Sequence, residues 1–258
     1  MATRLTLDDH VTLLRRSGLA LRDAAARAGL GAPVPTCPAW DVRALVTHQG
    51  MVHRWAAAHL RGEKQHDTAA SVAEAGAAPD LLAWFADGLD ALLATIAATP
   101  DDAEAMVFLK DAPPPRRFWA RRQAHETTIH GADALAALLG RAPSAAEVGV
   151  APEPAADGVD ELLSGFITRG RGKLRTDEPY TLAVRATDTG DAWLLRVEPE
   201  SLTTTAGGAG PGAAPDAELA GTAAQLYLGL WNRGDELTAT GRPSILRDWR
   251  AQVRVRWS

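Results

Sequence analysis

Apolar residues recur at helical spacing through the first half of the chain and alternate with polar ones through much of the second. Leu7, Val11, Leu14, Leu21 and Ala25 fall on one face of a helix over residues 6–29. Thr6 is placed to cap it, Asp8 and Asp9 suit its positive N-terminal end, and Gly31 follows as a stop. After the proline-punctuated turn "PVPTCPAWD", Asp41 caps a second helix over about 42–61, and a loop follows it. Asp80 caps a third helix over 80–98. The run "DAPPPRR" reads as a break because prolines cannot continue a helix. A fourth helix then runs over 116–139 and ends at Gly140. Four helices of roughly 20 residues match a four-helix bundle.

Residues 141–157, "RAPSAAEVGVAPEPAAD", are rich in Ala and Pro, lack a helical apolar stripe and read as a linker. Beyond them "VDELLSGFITRG" reads as a short helix, and "YTLAVRATD" and "AWLLRVE" as strands joined by a hairpin turn. "ESLTTTAG" adds a third strand, "DAELAGTAAQLYLGLWNRG" a strand running into a helix, and "ILRDWRAQVRVRW" a closing helix. The expected fold is a four-helix bundle over residues 1–142 followed by a small α+β domain over 155–258.

Composition narrows the partners. The chain has 258 residues, 46% hydrophobic and 23% charged, with a formal net charge of −5. That balance argues against a general nucleic-acid binder. Arg116-Arg117 and Arg121-Arg122 read as solvated helix surface, with a small bound anion as the alternative. The one cysteine, Cys37, leaves no disulfide to form within the chain and fits a reducing cytoplasm. No secretory leader is apparent, and no stretch is expected to approach the roughly 18 apolar residues of a membrane span. A cytoplasmic protein, monomer or dimer, is the expectation.

The fourth helix carries the candidate chemistry in "RRQAHETTIHGAD". Glu126 and His130 stand four residues apart, so they lie about 40° apart on one helical face. Trp119 and Ala137 extend that face in apolar residues, which points it inward. His125 lies about 100° from Glu126 and need not join. On the second helix, His48 interrupts the apolar face formed by Leu45, Val52 and Trp55. His53 lies about 140° round from His48, and His59 is expected to be exposed near the helix end. Buried Glu and His need partners. A metal held by His48, Glu126 and His130 would satisfy them, as would a structural Glu–His hydrogen bond, and spacing leaves both open. Cys37 is an alternative ligand, although a small core thiol is the simpler reading.

"VPTCPAWDVRALVTHQGMVHRW" and "FWARRQAHETTIHGADAL" resemble the two signature segments of the mycothiol-dependent maleylpyruvate isomerase family, within the wider DinB-like metal-binding superfamily. "ADGVDELL" and "AGTAAQLYLGLWNRG" resemble that family's C-terminal domain, which is similar to sterol-carrier proteins. The resemblance covers nearly the whole chain. It implies a DinB-like bundle in which His48, Glu126 and His130 form a metal triad, usually with zinc or another divalent metal. It also implies mycothiol as an external low-molecular-weight thiol and a small anionic substrate such as maleylpyruvate. In the implied cycle the thiolate adds to a cis double bond, the resulting single bond rotates, and elimination leaves the trans isomer. The family's isomerase activity is associated with an arginine of the C-terminal domain, for which Arg233 in "LWNRGDE" is the candidate; a helix C-terminal arginine satisfying the dipole is the alternative. Arg121 and Arg122 are weaker candidates. A mycothiol S-transferase, a zinc hydrolase on the same scaffold or a small-molecule-binding protein are the competing functions.

Overall fold

The computed structural model describes residues 4–63, 65–109, 111–169, 174–207 and 214–253. It forms two compact units. One comprises Thr6–Phe108 and Ala112–Pro143, the other Met1–Leu5, Leu109–Asp111 and Ser144–Ser258.

The first unit is helical. Its helices are α1 (Leu7–Ala28), α2 (Val42–Leu60), α3 (Thr68–Ala77), α4 (Leu81–Ala98) and α5 (Pro115–Leu139). The caps explain the starts. Thr6 and Asp9 form a reciprocal capping box on α1, Asp41 accepts from the Ala44 N–H at α2, and Asp80 accepts from the Leu82 and Ala83 N–H groups at α4. Gly140, at φ 70°, takes the left-handed conformation that ends α5. Helix α1 packs on α5 and α4, and α2 packs on α4 and α5. Leu21, Leu45, Val46 and Phe85 are fully buried in a core cluster shared by α1, α2 and α4.

Three expectations change here. The stretch between α2 and α4 is not simply a loop. It holds α3, a short Ala-rich helix capped by Asp67, with only Ser71 and Ala75 buried. The proline run does not wholly precede α5, because Pro115 occupies its first turn, where no intrahelical N–H bond is needed. Helix α4 is long and apolar enough to cross a membrane by length and composition. Leu81, Phe85, Gly88, Leu89, Leu92, Leu93 and Ile96 are its buried residues, and α4 packs against α2 and α1.

The second unit opens with α6 (Ala145–Val148) and α7 (Pro152–Asp160), so the stretch read as a linker is largely helical. Ser144 and Glu147 form a capping box on α6. Proline enters α7 only in its first turn, and Ala155, Ala156 and Val159 supply a small-residue face that is buried. The next six residues, Glu161–Phe166, continue α7 as a π-helical turn. Gly170 of the expected short helix lies outside the described residues.

Five strands follow: β1 (Tyr180–Ala186), β2 (Ala192–Val197), β3 (Leu202–Ala206), β4 (Ala217–Gly221) and β5 (Thr238–Gly241). They form one sheet in the order β3-β2-β1-β4-β5, in which only the β1–β4 pair is parallel. Leu182 opposes Leu195 and Ala217, and Val184 opposes Trp193 and Leu219, so these side chains share one buried face. Helix α8 (Ala223–Leu230) packs on β4 and α7. The closing helix is α9 (Ile245–Gln252); the rest of the segment expected to be helical, beyond residue 253, lies outside the described residues. Strand β5 was not expected, because "TATG" carries no alternation and all four residues are exposed at the sheet edge.

Candidate metal centre

Helices α2 and α5 bring His48, Glu126 and His130 together. One ligand atom from each lies within 4.8 Å of the others. Glu126 Oε1 is 3.9 Å from His48 Nε2 and 3.6 Å from His130 Nε2. Both distances exceed a good hydrogen bond, and the buried Oε1 has no hydrogen-bond partner among the described residues. Three ligand atoms clustered this closely, none near enough to bond another well, are a set that one cation would complete.

Charge is arranged to keep the carboxylate ionised. Arg122 donates to Glu126 Oε2 at 2.7 Å, one helical turn away. Burial pushes the Glu126 carboxyl up, but Arg122 and the facing His130 and His48 outweigh it and hold it far below the usual carboxylate range. Burial pushes His48 down, which favours its neutral form. Burial also opposes a charge on His130, but Asp133 and Glu126 prevail and raise it. Arg121 and Arg122 are both only 2% exposed, which overturns their reading as solvated surface. The ion pair with Glu126 explains this for Arg122. Arg116 is partly buried and bonds the Ile96 carbonyl, while Arg117 is exposed.

A shell of further residues surrounds the triad. His130 Nδ1 lies 2.9 Å from Asp133 Oδ2, and Thr36 Oγ1 donates to Asp133 Oδ1 at 2.6 Å. The Cys37 thiol is partly buried and donates to Asp133 Oδ2 at 3.5 Å. Trp40 lies 4.9 Å from His48 and 5.6 Å from His130, ring centre to ring centre. Below them, Gln49 Nε2, His53 Nε2 and Thr127 Oγ1 are mutually 2.9–3.0 Å apart and join α2 to α5. His53 is fully buried, and its pKa is pushed down to about 3, chiefly by that burial.

His125 is buried and meets His10 edge-on at 6.2 Å. His59 is partly buried rather than exposed and stacks on Trp119 at 5.5 Å. Trp55 and Trp119 pack against each other at 5.0 Å, and Trp119 donates to the Met106 carbonyl. Arg233 lies just beyond α8, 9% exposed. Its Nη1 donates to the Trp231 carbonyl and its backbone N–H to the Leu228 carbonyl. Sequence reasoning missed Thr36, Trp40 and Asp133. The signal for Asp133 was present in "HGAD", since a residue three after His130 shares its face.

The family model for the mycothiol maleylpyruvate isomerase N-terminal domain matches residues 11–135, and that for the MDMPI C-terminal domain matches residues 153–253. The chain belongs to the mycothiol-dependent maleylpyruvate isomerase family. Its fold is similar to a crystal structure of the mycothiol-dependent maleylpyruvate isomerase, with a TM-score of 0.62 at 15% identity over 93% of this chain and 96% of that one. A histidine-to-alanine mutant of that isomerase matches with the same TM-score and coverage at 14% identity. No curated protein matches the chain. The family's helical and mixed-sheet parts correspond to the two kinds of unit described above.

Proposed function

We propose that the chain is a mycothiol-dependent cis–trans isomerase of a maleylpyruvate-like unsaturated dicarboxylate, assisted by a divalent metal, zinc by preference, held by His48, Glu126 and His130. The observation that carries this reading is the convergence of Glu126 Oε1 with the two Nε2 atoms, in a chain of this family. The metal would supply a Lewis-acidic centre with open positions that favours an external thiol in its ionised form.

The chain's own residues prepare that centre. Arg122 keeps Glu126 ionised, and burial keeps His48 neutral. Asp133 engages Nδ1 of His130, which leaves Nε2 directed at Glu126. Trp40 packs on both imidazoles. The Cys37 thiol is already directed at Asp133, which supports an external thiol as nucleophile. In the reaction the thiol sulfur bonds to one alkene carbon and the electron pair moves onto the conjugated carbonyl. The carbon–carbon bond, now single, rotates, and loss of the same thiolate restores the double bond in the trans form. Arg233 is the proposed guanidinium for a substrate carboxylate. A single cysteine and a thiol co-substrate both suit a reducing cytoplasm.

The test is isomerisation of maleylpyruvate with and without mycothiol, on wild type, Cys37→Ser and His48→Ala. Turnover that needs mycothiol, survives Cys37→Ser and disappears in His48→Ala is expected. Turnover that ignores added thiol and is lost in Cys37→Ser would move the nucleophile onto the chain. Indifference to both, with hydrolysis, would make the protein a hydrolase. Thiol consumption without isomerisation would make it an S-transferase.

A further inference from the structure

A ligand histidine has two ring nitrogens, and only one can face the ion. In His130 the choice is set by Asp133, which is fully buried and lies three residues on along α5. An ionised carboxylate can only accept, so the 2.9 Å contact makes Nδ1 a protonated nitrogen, and in the neutral ring this leaves the lone pair on Nε2. The same carboxylate accepts from Thr36 Oγ1 and Cys37 Sγ. Those two residues belong to a tight turn closed by the Cys37 N–H to Val34 and Trp40 N–H to Cys37 backbone bonds. The turn delivers the Trp40 ring against both His48 and His130. One buried carboxylate thus holds the tautomer of one ligand and the anchorage of the turn that covers two.

We infer that Asp133 is a positioning residue of the centre, fixing the orientation of His130 and tying the Thr36–Trp40 turn to α5. The inference rests on the metal reading of His48, Glu126 and His130. A carboxylate that only stabilised the helix pair would change folding and leave the affinity of the folded protein for metal unaltered. A positioning carboxylate sets how well Nε2 is presented, and loss of such partners typically costs roughly 10–100-fold in metal affinity.

The experiment uses the full chain and zinc alone. Zinc affinity is measured by competition with a chromophoric chelator for wild type, Asp133→Ala, Asp133→Asn and His48→Ala. The His130 tautomer is read by nitrogen NMR of the metal-free protein at alkaline pH. Asp133→Ala should weaken zinc binding by roughly 10–100-fold and let the Nε2–H tautomer appear. Asp133→Asn keeps the side-chain volume and should fall nearer the lower end of that range. A folded Asp133→Ala that binds zinc like wild type and keeps the Nδ1–H tautomer overturns the inference. If that variant does not fold, unchanged zinc affinity in Asp133→Asn overturns it. The two readings separate through His48→Ala. If that variant binds zinc normally, the metal assignment itself fails. If it loses zinc while the Asp133 variants keep it, only the positioning role fails.

Discussion

Helix α4 is almost wholly apolar yet buries only seven of its 18 residues, whereas α5 is crowded with charge and imidazole and buries seventeen of 25. Composition alone would rank them the other way. Apolar surface left in water is common and needs little explanation, but buried charge is costly unless paired. Helix α4 therefore packs one face and leaves Ala83, Ala91, Ala94 and Ala97 exposed. Much of the buried polarity of α5 is compensated by named partners: Arg122 by Glu126, His130 by Asp133, Thr127 by His53 and Gln49, and Thr128 by Ser17. The contrast separates a helix held by area from one held by partners, and the second kind has the capacity for chemistry.

Removing a partner from α5 should break that helix's arrangement most severely. Glu126→Ala takes away a proposed ligand and leaves Arg122 buried without its carboxylate. Metal content of the purified protein should fall to background by elemental analysis, and urea unfolding should show a loss of about 3–5 kcal/mol. Truncating the packed face of α4 with Leu92→Ala should cost about 2–5 kcal/mol in the same assay, with metal content retained. The two variants together test whether stability and metal loading are separable between the helices.

The His53 pKa lies at about 3 in the folded chain, pushed below the ordinary imidazole value of 6.5 chiefly by burial. Between those values the unfolded chain binds the extra proton, so stability is present above the unfolded pKa and is lost as pH falls toward the folded one. The slope should reach about 1.4 kcal/mol per pH unit. In His53→Leu the urea midpoint should depend less steeply on pH across that window; an unchanged slope would remove His53 as the cause. The smallest effect belongs to the open face of α4. Ala91→Lys and Ala94→Lys should each stay within about 0.5 kcal/mol of wild type, and a large loss at either position would show that this face is covered in solution.

The same contrast explains what could be read from the chain. Helices α1, α2 and α4 were legible because each starts at a side-chain cap and carries a wide apolar stripe. Helices α3, α6 and α7 were not, because alanine gives no periodic signal and proline in a first turn resembles proline in a loop. Strand β5 is an exposed edge without alternation. For the site, spacing on two helical faces singled out the three residues whose donor atoms converge. It missed Trp40 and Thr36 because a turn has no period from which to infer direction. It read Arg122 as surface because charge normally stays in water, and only the carboxylate one turn along reveals why this one does not.

The contacts among Gln49, His53 and Thr127 join positions up to 78 residues apart in the chain. Individual helices can form from local contacts on fast timescales, but this closure must wait until most of the first unit has been gathered, since long loops are entropically slow to close. The neighbouring donors on α2 and α5 are separated just as widely, so no helix or hairpin forming early in folding holds a usable set. Metal uptake during refolding would then lag behind helix formation and mark the moment at which the two halves of the bundle find one another.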